Sequence, residues 1–133
     1  MILIVDDYDD GATALCRLIG REGFQCHIAS NGVAALEIIR GHPPKSPLLV
    51  ILDEMMPFMT GIEVLQHIRA DPRISQTAVI MFTANFDDKK RDEAIALGVM
   101  AWLLKGDASD GGIAAMIGTV TRCYEQVGGV RTK

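Results

Sequence analysis

Short apolar runs recur along this chain at residues 2–5, 48–52, 79–82 and 100–104, with amphipathic stretches between them. Runs of four or five apolar residues, rich in β-branched side chains, suit strands covered on both faces of a sheet. A further stretch, residues 24–28 (Phe-Gln-Cys-His-Ile), alternates apolar and polar side chains as a half-covered edge strand does. Between the runs the spacing changes to that of a helix. Ala12, Leu15, Cys16 and Ile19 fall at i, i+3, i+4 and i+7, and Met116, Ile117, Val120, Tyr124 and Val127 continue a similar stripe near the end.

Boundary signals agree. Thr60 followed by Glu63 predicts a capping box at a helix start. Asp71-Pro72 predicts the end of that helix, and Gly98 the end of the next. Residues 42–47 (His-Pro-Pro-Lys-Ser-Pro) cannot continue a helix and read as a spacer. Five strands alternating with five helices predict right-handed crossovers and a parallel α/β sheet with helices on both faces. In such a sheet, ligands bind beyond the carboxyl ends of the strands.

The residues at those ends are polar in a telling combination. Asp6 and Asp7 follow the first strand, Asp53 the third, Thr83 the fourth and Lys105 the fifth. Converging carboxylates repel one another, by about 4 kcal/mol for a pair at 4 Å and an effective dielectric of 20. A divalent cation and Lys105 would offset that. An oxygen-only ligand set points to Mg²⁺. A carboxylate beside such an ion can attack phosphorus and form an acyl phosphate, with Thr83 and Lys105 stabilising charge on the phosphoryl oxygens.

Composition narrows the remaining classes. With 133 residues, one domain is expected. A formal net charge of −4 argues against nucleic acid as the main partner. No apolar run reaches the roughly 20 residues of a membrane-spanning helix, and no signal peptide is evident. Cys16, Cys26 and Cys123 form no paired motif and read as plain thiols, in keeping with a cytoplasmic location. His27, His42 and His67 show no ligand spacing. Residues 87–93 (Asp-Asp-Lys-Lys-Arg-Asp-Glu) read as a solvated helix face, and Met55, Met56, Phe58 and Met59 as an apolar loop covering core or docking a partner.

Four segments in order carry a family resemblance: Ile4-Val5-Asp6-Asp7, the stretch from Asp53 to Gly61 (Asp-Glu-Met-Met-Pro-Phe-Met-Thr-Gly), Phe82-Thr83-Ala84 and Trp102-Leu103-Leu104-Lys105. Together they resemble the receiver domains of bacterial two-component response regulators, of the stand-alone chemotaxis-regulator type. The resemblance runs over residues 1–127 and leaves 128–133 as a short tail. It implies a flavodoxin-like (βα)5 three-layer sandwich with strand order 2-1-3-4-5, an order for which a member of this family is a known example. It also implies Asp53 as phosphoacceptor and Asp6, Asp7, Asp53 and the Met55 carbonyl as Mg²⁺ ligands. Thr83 and Trp102 become the switch pair, Lys105 pairs with the phosphoryl group, and Met55 and Asn85 tune dephosphorylation. The implied phosphodonor is a phosphohistidine on a sensor histidine kinase or a histidine phosphotransfer protein. Output would pass to a target protein through the fourth helix, fifth strand and fifth helix.

The chain departs from the family pattern at Gly106, where most members have proline after a cis bond. Without proline a cis bond costs about 3–4 kcal/mol, so a trans or looser loop is expected.

Two enzyme or ligand-binding alternatives lack their residues. An aspartyl phosphohydrolase wants a second carboxylate at the position of Met55, and a nucleotide-binding module wants a glycine-rich turn where Asp6-Asp7-Tyr8-Asp9-Asp10 stands. The alternative left is a binding-only receiver, a protein-interaction module independent of phosphorylation. About 28 residues follow the fifth strand, with no room for an effector domain within the chain, and the start at Met1 favours a stand-alone regulator over an excised domain.

Overall fold

Strand and helix alternate throughout the computed structural model, which describes residues 1–84, 86–105 and 112–131. The elements are β1 (Ile2–Val5), α1 (Asp9–Arg21), β2 (Cys26–Ala29), α2 (Gly32–Gly41), β3 (Leu49–Leu52), α3 (Gly61–Ala70), β4 (Ala78–Thr83), α4 (Asp88–Ala96), β5 (Ala101–Leu104) and α5 (Gly112–Gln126). All strand pairs are parallel, in the order β2-β1-β3-β4-β5. The expected flavodoxin-like architecture is therefore present.

Alternate strand residues feed two cores. Leu3, Val5, Val50, Leu52, Val79 and Met81 pack with Leu36, Ile39, Val64, Leu65 and Ile68 of α2 and α3. Ile2, Ile4, Leu49, Ile51 and Ile80 pack on the other face with Leu15 and Ile19 of α1 and Val120 and Tyr124 of α5. Two-sided burial explains the unbroken apolar runs of β1 and β3, every residue of which is buried.

The helix-boundary signals took effect. The Thr60 hydroxyl accepts from the Glu63 amide and the Glu63 carboxylate accepts from the Thr60 amide, both at 3.2 Å. Asp71 caps the end of α3, and Gly98 stops α4 with a φ of 77° that favours glycine.

Two strand expectations need correction. The segment expected at 24–28 is a strand only over Cys26–Ala29, with the Gln25 carbonyl accepting from the Ile2 amide at 2.8 Å; Phe24, after Gly23 at φ 90°, is instead buried edge-on against Tyr124. And the run at 100–104, expected as a fully covered strand, is only partly buried although it packs on both cores. It forms the outer strand β5, where Ala101, Trp102 and Leu103 are half-buried and Leu104 is exposed. An edge strand with an apolar sequence looks like a central one until its missing neighbour is known.

Candidate functional site

Register brings the site together. Val5 pairs with Leu52, so Asp6 and Asp53 leave adjacent strands at the same level, and the Asp53 amide donates to the Val5 carbonyl at 2.9 Å. β4 runs two residues beyond this level, so Thr83 is its last strand residue instead of its first loop residue, and it is buried. Thr83 in turn pairs with Leu104, and its carbonyl accepts from the Lys105 amide at 2.7 Å.

Asp6 and Asp53 are each only 5% exposed, whereas Asp7 is exposed. One oxygen from each of Asp6, Asp7 and Asp53 lies within 4.8 Å of the others. Lys105 Nζ is 2.6 Å from Asp6 Oδ2 and 3.4 Å from Asp53 Oδ1, and lies 5.7 Å from the centre of the Phe82 ring. The other Asp6 oxygen accepts from the Tyr8 amide at 2.9 Å. Burial pushes the Asp53 carboxyl up, the Lys105 ammonium opposes this and Asp6 adds to it, and the balance is about 6. Two desolvated carboxylates facing one ammonium leave excess negative charge, and a divalent cation with oxygen ligands fits that donor set.

The sequence-predicted residues Asp6, Asp7, Asp53, Thr83 and Lys105 thus gather at one end of the sheet. Met55 lies two residues beyond Asp53 and is 55% exposed. Asn85 and the bond from Lys105 to Gly106 lie outside the described residues. Trp102 packs half-buried against the core under α3 and α4, and its indole Nε1 is buried without a hydrogen-bond partner among the described residues.

Only part of the apolar loop covers the core. Met56 is buried and Met59 packs against the core, while Met55 and Phe58 face solvent. Phe58 is fully exposed at φ 68°, a backbone region that costs a non-glycine residue about 1–3 kcal/mol. Tyr8 and Phe86, also exposed, lie in the loops after β1 and β4.

Sequence reasoning missed three features. Glu54 is buried, yet a glutamate beside the candidate acceptor reads in sequence as loop polarity. Lys90, read as part of a solvated face, reaches Glu54 at 3.3 Å, and Asp87 is the N-cap of α4, accepting from the Lys89 and Lys90 amides. Gly61 is enforced sterically: a Cβ there would lie 2.3 Å from the Asp53 carbonyl oxygen. Its place eight residues after Asp53, at a helix start, was the available signal. The three cysteines are free, and burial pushes the Cys26 thiol up, away from reactivity.

Comparison with known proteins agrees with this geometry. The response regulator receiver domain family matches residues 2–116. The chain is 38% identical over 97 residues to the transcriptional regulatory protein CpxR homolog of Haemophilus influenzae, covering 73% of this chain and 40% of that protein. It is 36% identical over 104 residues to the transcriptional regulatory protein SrrA of Staphylococcus aureus, covering 78% of this chain and 41% of that protein. The chain thus spans well under half the length of these relatives. Among solved structures, the CheY-like receiver domain protein of Methanospirillum hungatei superposes with a TM-score of 0.81 at 20% identity, covering 96% of this chain and 94% of that one, a likeness of fold. The match to the family, over most of the chain and with the acidic end of the sheet assembled as above, shows that this chain belongs to the response regulator receiver domains.

Proposed function

We propose that this receiver, residues 1–127 with 128–133 as a tail, accepts a phosphoryl group on Asp53 in a two-component or phosphorelay pathway. The observation that carries the reading is the buried Asp53 carboxylate, 3.4 Å from Lys105 and in reach of Asp6 and Asp7. An Asp53 oxygen attacks the phosphorus of a phosphohistidine, the P–N bond breaks, and an acyl phosphate forms. Lys105, already at the site, moves to the phosphoryl oxygens, and the Thr83 hydroxyl donates to another of them. Asp6, Asp7, Asp53 and the Met55 carbonyl would hold Mg²⁺. That ion, when bound, neutralises charge between the carboxylates and the phosphoryl group.

A sensor histidine kinase or histidine phosphotransfer protein in the cytoplasm is the proposed donor. The exposed Tyr8, Met55, Phe58 and Phe86 support a protein donor, because apolar side chains gain by burial in an interface. Met55 and Asn85, two residues beyond Asp53 and Thr83, are proposed to tune the phosphoryl lifetime. The switch pairs Thr83, drawn toward the phosphoryl group, with Trp102 on the neighbouring strand. Output passes through the surface of α4, β5 and α5 to a target protein.

Intact mass after incubation with acetyl phosphate, with and without Mg²⁺, tests the reading on the wild type and Asp53→Asn. A Mg²⁺-dependent gain of one phosphoryl group, absent from the variant, supports it. A wild type that gains nothing while still binding Mg²⁺ overturns it in favour of a binding-only receiver.

A further inference from the structure

Four polar or charged side chains are buried among the described residues: Asp6, Asp53, Thr83 and Glu54. The first three belong to the site above. Glu54, directly after the phosphoacceptor and 2% exposed, faces elsewhere. Its Oε1 accepts from the Ile62 amide in the first turn of α3 at 2.7 Å. Its Oε2 lies 3.3 Å from Lys90 Nζ in the first turn of α4. Its backbone carbonyl accepts from the Gly61 and Met56 amides. Glu54 is thus locked to the start of α3 and reaches across to α4.

Helix α4 is otherwise weakly held. It has nine residues, Asp-Lys-Lys-Arg-Asp-Glu-Ala-Ile-Ala, and buries one side chain, Ala94. So short a helix is marginal without packing. Its far end is pinned by Arg69, whose Nε donates to the Leu97 carbonyl at 2.6 Å. At its near end, the Lys90–Glu54 pair is the polar contact that joins the first turn to another element among the described residues. The pair is unequal. Glu54 is out of water and needs a cation, whereas the Lys90 side chain is 39% exposed and is readily solvated. Movement of the Asp53–Glu54 segment therefore acts on α4 through Lys90.

We propose that Glu54 and Lys90 are positioning residues that tie α4 to the phosphoacceptor loop, so that phosphorylation of Asp53 sets how firmly the first turn of α4 is held. The idea rests on Asp53 accepting a phosphoryl group. That group draws Lys105 and Thr83 onto Asp53, so the Asp53–Glu54 segment is held more firmly and the tie to Lys90 tightens with it. Phe86 precedes the tethered turn and Ile95 lies farther along α4, both exposed, so the tie governs how this apolar edge is presented.

Amide hydrogen exchange on the full chain tests it, with and without acetyl phosphate and Mg²⁺, and with phosphoryl occupancy read by intact mass. In the wild type, phosphorylation slows exchange in α4. In unphosphorylated Lys90→Gln and Glu54→Gln, α4 amides exchange about tenfold faster while β1 and β3 amides are unchanged, and Lys90→Arg stays near wild type. In phosphorylated Lys90→Gln the slowing is lost. A Lys90→Gln protein that is phosphorylated and still shows the wild-type slowing overturns the proposal. If no protein gains a phosphoryl group, the receiver reading fails by itself, and unchanged α4 exchange in both Gln variants then overturns the tie separately.

Discussion

Lys105 Nζ lies 2.6 Å from Asp6 Oδ2 across 99 residues of chain, reaching over the ends of the two strands between β1 and β5. A second carboxylate, Asp53, is 3.4 Å from the same ammonium. One cation therefore serves two buried anions, and both its removal and its competition with a metal have measurable consequences.

Lys105→Met leaves Asp6 and Asp53 without their shared ammonium. Metal-free stability falls by about 2 kcal/mol, the size of a lost charged hydrogen bond. Uptake of phosphoryl from acetyl phosphate falls about a hundredfold, as for loss of one preorganised donor. Urea unfolding in a chelator and time-resolved intact mass read the two effects. Unchanged uptake with reduced stability would reduce Lys105 to a structural role.

The raised Asp53 carboxyl makes stability pH-dependent when metal is absent. Its folded value of about 6 lies above the ordinary 3.8, so the folded chain binds more protons than the unfolded chain between those limits. The contribution is present at low pH and is lost as pH rises through about 6, by on the order of 2 kcal/mol. Unfolding midpoints in a chelator between about pH 4 and about pH 7 measure it. Asp53→Asn flattens the dependence, and Mg²⁺ stabilises more at the upper end because protons no longer compete. A wild type already flat without metal contradicts the assignment.

Gly61→Ala places a Cβ 2.3 Å from the Asp53 carbonyl oxygen and 2.9 Å from the Glu54 Cα. Both are backbone atoms that cannot rotate away. The variant loses about 2–3 kcal/mol by overpacking and takes up phosphoryl more slowly, because the carbonyl that must shift belongs to the acceptor. Gly41→Ala, whose new Cβ meets nothing within 4 Å, is the control and stays close to wild type in both measurements.

Trp102 is the only tryptophan in the chain, so its emission reports one site. Its buried Nε1–H lacks a partner among the described residues, and such a donor costs about 1–3 kcal/mol until it finds one. A change of rotamer that gives it a partner is therefore favoured once the surroundings loosen. Phosphorylation is expected to shift the emission in the wild type but not in Thr83→Ala. Emission that stays constant while intact mass shows a full phosphoryl load would remove Trp102 from the switch.

Asp6, Asp7, Asp53, Thr83 and Lys105 were legible in the sequence because a parallel sheet brings the carboxyl ends of its strands to one side. A polar residue that closes an apolar run can then be placed without coordinates. The capping box at Thr60 and Glu63 was legible because its partners are three residues apart. Glu54 and Lys90, 36 residues apart, were not. A glutamate after a strand and a lysine in a charged run have the same local chemistry whether solvated or paired. The tertiary structure alone decided that Glu54 is out of water, that β5 is only half-buried despite its apolar sequence, and that the first turn of α4 is tied to that buried carboxylate. Local pattern determines which elements form and which end of the sheet is polar. Burial and long-range pairing depend on where the other elements pack, and only the folded chain sets that.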